Sequence, residues 1–182
     1  MFADEEGGDS NGVAFLLEKH RGLIDAELGL NEGGGGGTRN GRRIALSVQA
    51  SEKVFQSFRL EVKNSGGHSS LPVPENAIYR LAAGLVRLAA HRFPVRLNEV
   101  TRAFFGRTAL ALGGAEGAAM KAILSDPPDP AAAEALARQP YFNSLMRTTC
   151  VATRLAGAHA ENALPQMARA VVNCRMLPDE PA

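Results

Sequence analysis

Between Met167 and Leu177 small and apolar side chains occupy every second position, and this alternation constrains the fold more than any other feature of the chain. Ala168, Ala170, Val172, Cys174 and Met176 share one face of an extended segment, while Arg169, Val171, Asn173 and Arg175 share the other. A strand with one apolar face needs a second layer packed on it. The same period appears from Val54 onward, where Phe58, Leu60 and Val62 alternate with Arg59, Glu61 and Lys63. It changes to three- and four-residue spacing in Ile78, Leu81, Ala82, Leu85 and Ala89, which predicts a helix with one buried stripe. Arg147 to Leu155, rich in Thr and Val, predicts another strand. The order strand, helix, strand, strand predicts an α+β domain in two layers, with helices on one face of an antiparallel sheet.

The remaining segments are less regular. Ser10 to His20 predicts a helix with Val13, Leu16 and Leu17 as its apolar stripe. Ala26 to Leu30 reads as a short buried strand, and the five glycines Gly33 to Gly37 as a mobile loop, because they have no side chains to offset their ordering entropy. Asn40-Gly41 predicts a tight hairpin turn, followed by a strand over 43–49 with Ile44, Leu46 and Val48 on one face. Asn98 to Leu112 is ambiguous, with a strand through Phe104 and Phe105 as the reading offered. Ala115 to Leu124 and Pro130 to Arg138 predict short helices separated by the breaker Asp126-Pro127-Pro128-Asp129.

Composition removes several function classes. A formal net charge of +1 over 182 residues gives no reason to expect nucleic acid or an anionic membrane as a partner. The absence of Trp and the presence of two Tyr argue against base-stacking platforms. No run of 18 apolar residues offers a membrane span. Cys150 and Cys174 are too few for a disulfide framework. Buried reduced thiols are the default expectation, with a disulfide between adjacent strands as the alternative.

Two polar features remain. Ser65-Gly66-Gly67-His68-Ser69-Ser70-Leu71-Pro72 places one imidazole in a loop between a strand and the long helix, after two glycines that permit backbone angles closed to other residues. Near the front, Asp4-Glu5-Glu6 crowds three carboxylates before Gly7-Gly8, a charge cluster that a cation would relieve. That cluster precedes any strand or helix able to position it, and no signal peptide is recognisable, so the chain is expected to be a segment of a longer protein.

Four blocks, in order, carry a resemblance: Asp4-Glu5-Glu6-Gly7-Gly8; Asn31-Glu32-Gly33-Gly34; Gly66-Gly67-His68-Ser69-Ser70-Leu71-Pro72; and Asn162-Ala163-Leu164-Pro165 followed by Asn173-Cys174-Arg175-Met176-Leu177-Pro178. Together they resemble the metal-dependent aminoacylase/carboxypeptidase family, which includes carboxypeptidase S, aminoacylase, carboxypeptidase G and succinyl-diaminopimelate desuccinylase. The glycine run after Glu32, Ser51-Glu52-Lys53 and Thr148-Thr149 are most similar to the carboxypeptidase S-like branch.

The resemblance implies a dinuclear zinc site, with cobalt or manganese as alternatives, and a ferredoxin-like lid that also forms a homodimer. Residues 1–52 would be the end of the first catalytic segment, and residues 53–182 a lid lacking its last helix and strand. Glu5 would be the general base, taking a proton from a water that the metal activates. Glu6 would ligate one metal and Glu32 the other, Glu32 being preferred to Asn31 because a neutral amide is a poor zinc ligand. His68 would reach into the partner's active site and donate to the scissile carbonyl, with Asn162 as a second polar donor. Arg175 would pair with the substrate's free carboxylate through its planar fork.

Such a site also needs a His-x-Asp pair upstream and a final histidine downstream, and neither is in this chain. His20, His91 and His159 read instead as surface or cap residues. The expectation is a dinuclear zinc hydrolase cleaving the amide bond of dipeptides or N-acyl amino acids with a free carboxylate, the isolated chain being inactive. The alternatives are a non-catalytic dimerisation module and a deacylase or desuccinylase of a diamino-acid metabolite.

Overall fold

The computed structural model describes residues 11–29, 34–178 and 180. The chain divides into two compact units, Met1–Gly34 and Gly35–Ala182. In the first, α1 (Gly12–Lys19) begins where the Asn11 side chain accepts from the Ala14 N–H at 2.9 Å, an N-cap satisfying one orphan donor. His20 ends it, and α2 (Arg21–Ile24) follows. No strand forms over 26–29, where Leu28 is exposed. The expected strand over Ala26 to Leu30 is therefore corrected for those residues, and Leu30 lies outside the described ones.

The second unit opens with a hairpin of β1 (Gly35–Arg39) and β2 (Arg42–Ser47). Asn40 (φ 51°) and Gly41 (φ 75°) supply the two left-handed residues that a tight two-residue turn requires, as Asn-Gly predicts. The glycine run from Gly35 is a strand rather than a loop, because β2 satisfies its backbone groups from Gly35↔Ser47 to Arg39↔Arg42. Alternation in β2 does not lead to burial: Ile44 is half-buried, but Leu46 is 84% exposed and Val48 equally open.

The principal sheet has three antiparallel strands in the order β3 (Val54–Lys63), β7 (Met167–Met176), β5 (Thr149–Gly157). Register puts Phe58, Leu60 and Val62 opposite Val172, Ala170 and Ala168, so the apolar positions share a face. On that face lies α3 (Ala77–Ala90), whose Ala77 and Leu81 form a buried cluster with Ala168 and Ala170, joined by Val62 and Leu85. Burying Leu81 alone contributes about 1.5–3 kcal/mol. The small side chains of β7 let the helix approach closely. The two-layer antiparallel α+β architecture expected from the sequence is present.

Cys150 and Cys174 are directly opposed on β5 and β7 and form a disulfide, which corrects the default expectation of reduced thiols. Strand register, which sequence spacing does not reveal, brings the two sulfurs together.

Between α3 and β5 the chain builds four helices around their own core: α4 (Glu99–Leu112), α5 (Gly114–Ala122), α6 (Pro130–Ala137) and α7 (Pro140–Met146). The expected strand through Phe104 and Phe105 is instead α4. Its N-cap is Asn98, which accepts from the Thr101 N–H at 2.9 Å, and its buried positions, Thr101, Phe105 and Ala109, recur every fourth residue. Phe105, Met120, Ile123 and Met146 are fully buried at the centre of this bundle. Gly117 lets α5 pack on α4, since a Cβ there would lie 2.7 Å from the Ala109 carbonyl oxygen. Among the described residues no helix is long and apolar enough to cross a membrane.

Lys53 fastens the bundle to the sheet. Its ammonium donates to the carbonyls of Ser144 (3.0 Å) and Arg147 (2.8 Å), with the Thr149 hydroxyl at 3.4 Å. Burial pushes its pKa from 10.5 down to about 8; Glu180 opposes that shift and Arg175 adds to it. Below pH 8 Lys53 is charged in both the folded and unfolded states, and the burial cost is fully present. Between about 8 and 10.5 the unfolded chain binds the extra proton, so this group's contribution to stability rises with pH. The urea midpoint of the chain is therefore expected to gain on that of Lys53→Met between pH 7 and pH 10. A constant difference would contradict the shift.

Candidate functional site

The histidine loop is built by backbone geometry. Gly66 (φ 79°) and Gly67 (φ 145°) both adopt angles that side chains disfavour, and a Cβ on Gly66 would lie 2.7 Å from Gln166 Cγ. Asn64 anchors the loop's start: its backbone N–H donates to the Gln166 carbonyl at 2.8 Å, its side-chain oxygen accepts from the Ser65 N–H at 2.7 Å, and its amide donates to the Glu75 carbonyl at 2.7 Å. The loop then forms β4 (Gly67–His68), paired antiparallel with β6 (Ala163–Leu164). Beyond the pair, the Ser69 N–H donates to the Asn162 carbonyl at 2.9 Å. His68 and Asn162, 94 residues apart in sequence, thus sit side by side on one exposed rim.

His68 is exposed, and its ring is nonetheless held. Nδ1 lies 2.7 Å from the Ser70 hydroxyl and 3.2 Å from the Ser70 backbone nitrogen, and the Leu71 N–H closes the turn on the His68 carbonyl at 3.0 Å. Nε2 is the ring nitrogen turned away from these contacts.

Arg175 lies elsewhere. It stands near the end of β7, opposite Phe55 on β3 and Thr149 on β5, on the face away from α3. Its guanidinium carbon is 5.3 Å from the centre of the Phe55 ring, a cation–π contact that leaves the fork exposed. On the same open face, Arg169 Nε donates to Glu61 at 2.8 Å, and this hydrogen bond, with Lys63 adding its charge, holds the Glu61 carboxyl below its usual range. The β4–β6 pair adjoins the Met167 end of β7, so eight residues at roughly 3.3 Å each separate the histidine rim from Arg175, on the order of 26 Å. The structure brings His68 and Asn162 together and keeps Arg175 apart.

Glu5, Glu6, Asn31 and Glu32 lie outside the described residues. Among the described residues no group of three or more His, Cys, Asp or Glu side chains could hold a metal ion. His20 and His91 cap helices and His159 is exposed on the turn after β5, as expected for residues outside a site.

Sequence reasoning passed over three contributors. Asn64 was signalled only by its place ahead of Ser-Gly-Gly, where an Asx turn is common. Ser70 lies two residues beyond the imidazole, the spacing that lets a turn fold a hydroxyl back on Nδ1. Lys53 entered only as part of a resemblance, and nothing in its neighbours signalled burial.

The described domain is a two-layer α+β unit with a backbone-anchored histidine rim at one end of its sheet and an exposed arginine near the other. Residues 50–182 match the peptidase dimerisation domain of the M20 peptidases, and the chain belongs to that family. It is 32% identical over 140 residues to the human N-fatty-acyl-amino acid synthase/hydrolase PM20D1, covering 75% of this chain and 27% of that protein. It is 30% identical over 177 residues to PM20D1.1 of Danio rerio, covering 92% of this chain and 31% of the relative. To the probable carboxypeptidase S-like 2 of Dictyostelium discoideum it is 29% identical over 136 residues, covering 74% of this chain and 25% of that protein. The chain therefore spans about a quarter to a third of the length of these relatives. No solved structure gives a significant match.

Proposed function

We propose that the chain is the lid and part of the catalytic domain of a zinc-dependent amide hydrolase acting on N-acyl amino acids or dipeptides with a free carboxylate. The observation that carries this reading is the fixed His68–Asn162 rim within a peptidase dimerisation domain. The names of the relatives, N-fatty-acyl-amino acid synthase/hydrolases and a probable carboxypeptidase S-like protein, support the substrate class. Residues 1–52 belong with the catalytic portion and residues 53–182 with the lid. The start of the family match at residue 50 supports this boundary.

In this reading His68 and Asn162 donate hydrogen bonds to the oxygen that becomes negative as the carbonyl is attacked, and Arg175 holds the substrate carboxylate in a bidentate fork. Glu6 and Glu32 are oxygen donors suited to a divalent metal, and further ligands would come from outside the chain. The metal, when bound, would supply an activated water. Glu5 accepts a proton and returns it to the leaving amine. The scissile carbonyl and the carboxylate of an N-acyl amino acid are within one residue's length, at most ~3.6 Å. A single chain with its His68 and Arg175 on the order of 26 Å apart cannot hold both. The site is therefore shared by two copies, with His68 and Asn162 from one and Arg175 from the other. Pairing through α3 and the edge strand β5 accounts for the apolar groove of about 270 Å³ between them, lined by Ile78, Leu85 and the 71% exposed Leu155.

Hydrolysis of an N-acyl amino acid, followed as release of the free amino acid, tests the assignment. The complete enzyme is expected to lose activity on dialysis against a chelator and regain it with zinc, and the 182-residue chain alone to release none. Turnover by the isolated chain, or chelator-insensitive turnover by the complete enzyme, would reject it.

A further inference from the structure

We infer that Ser70 is the positioning residue that sets the tautomer of His68, leaving Nε2 as the protonated, outward-facing nitrogen. The assignment follows from which groups can donate. The Ser70 backbone N–H, 3.2 Å from Nδ1, has no lone pair to offer, so Nδ1 must be the acceptor and cannot carry a hydrogen in the neutral ring. The Ser70 hydroxyl, 2.7 Å from the same nitrogen, then serves as donor in the shorter of the two bonds. With Nδ1 engaged, the single ring proton resides on Nε2.

The arrangement is local and pre-formed. Leu71 N–H to His68 carbonyl closes a tight turn over 68–71, fixing the hydroxyl relative to the ring, while the β4–β6 pair fixes the His68 backbone. An exposed imidazole without such a partner exchanges between tautomers and rotates freely. Here a side chain two residues away orients it before any substrate arrives. Resting on the proposed role of His68 as an oxyanion donor, the inference explains how a solvent-exposed histidine presents an N–H rather than a lone pair to a developing negative charge.

Long-range proton–nitrogen NMR of the imidazole nitrogens tests the tautomer directly in this chain, with His68 assigned by its loss in His68→Gln. At mildly alkaline pH the wild-type ring is expected as the Nε2–H form. Ser70→Ala, which removes the shorter hydroxyl bond and leaves Nδ1 only the longer backbone N–H, is expected to raise the Nδ1–H fraction at least about twofold, and Ser70→Thr, which keeps the hydroxyl, to restore it. A predominant Nδ1–H ring in the wild type, or an unchanged tautomer in Ser70→Ala, would overturn the inference. In the complete enzyme Ser70→Ala is expected to lower kcat about tenfold with KM changed less than about twofold, and Ser70→Thr to recover kcat. A shifted tautomer with unchanged kcat would leave the Ser70 assignment standing and reject the catalytic role of His68. An unshifted tautomer with a fallen kcat would do the reverse.

Discussion

Mixing two inactive variants of the complete enzyme, His68→Ala and Arg175→Ala, is expected to restore about a quarter of wild-type activity. With the site shared as proposed, one site of a mixed dimer receives an intact Arg175 from its own chain and an intact His68 from the partner, while the other lacks both. Random pairing makes half of the dimers mixed, each with one working site of two. The basis is the span of β7, which puts the histidine rim beside Met167 and the guanidinium at position 175. No recovery after confirmed subunit exchange, read by native mass spectrometry and by turnover, would show that one chain supplies both groups.

Glu5→Gln in the complete enzyme is expected to lower kcat roughly 10²- to 10⁴-fold while leaving bound metal near the wild-type amount. The substitution keeps the shape of the side chain and removes its ability to take a proton. Glu6→Gln should differ by losing metal as well, because an amide oxygen is a weaker donor than a carboxylate. Metal analysis of both variants beside their turnover separates the roles. Parallel loss of metal and activity in Glu5→Gln would make Glu5 a ligand instead of a base.

Legibility in the sequence followed the range of the interaction that shapes each segment. The alternation in β3 and β7 and the stripe on α3 were readable because each segment buries one face against one layer, and periodicity records that directly. Asn40-Gly41 was readable because its turn is a property of two residues. The region 98–112 was not, since Val100, Thr101, Phe104 and Phe105 favour strands locally and only packing against α5 to α7 makes α4 worthwhile, whereas the helices α5 and α6 were readable from their apolar spacing and the breaker between them. The glycines from Gly35 gave no pattern at all, and became a strand through backbone pairing with β2. The cysteine pair depended on strand register, which two distant segments set jointly.

His68 stood out as a loop histidine after two glycines and Arg175 as a polar-face residue of an alternating strand, but Asn162 and the roles expected of all three came only from the family resemblance of their motifs. The sequence by itself therefore determined the two-layer class, the family resemblance and the identity of these polar groups. Tertiary structure alone decided their arrangement. Pairing of β4 with β6 set His68 beside Asn162, the Ser70 turn oriented the imidazole, and the length of β7 held Arg175 at the far end. Distances between segments far apart in the chain arise from sheet order and register, and neither is written in any one stretch of residues.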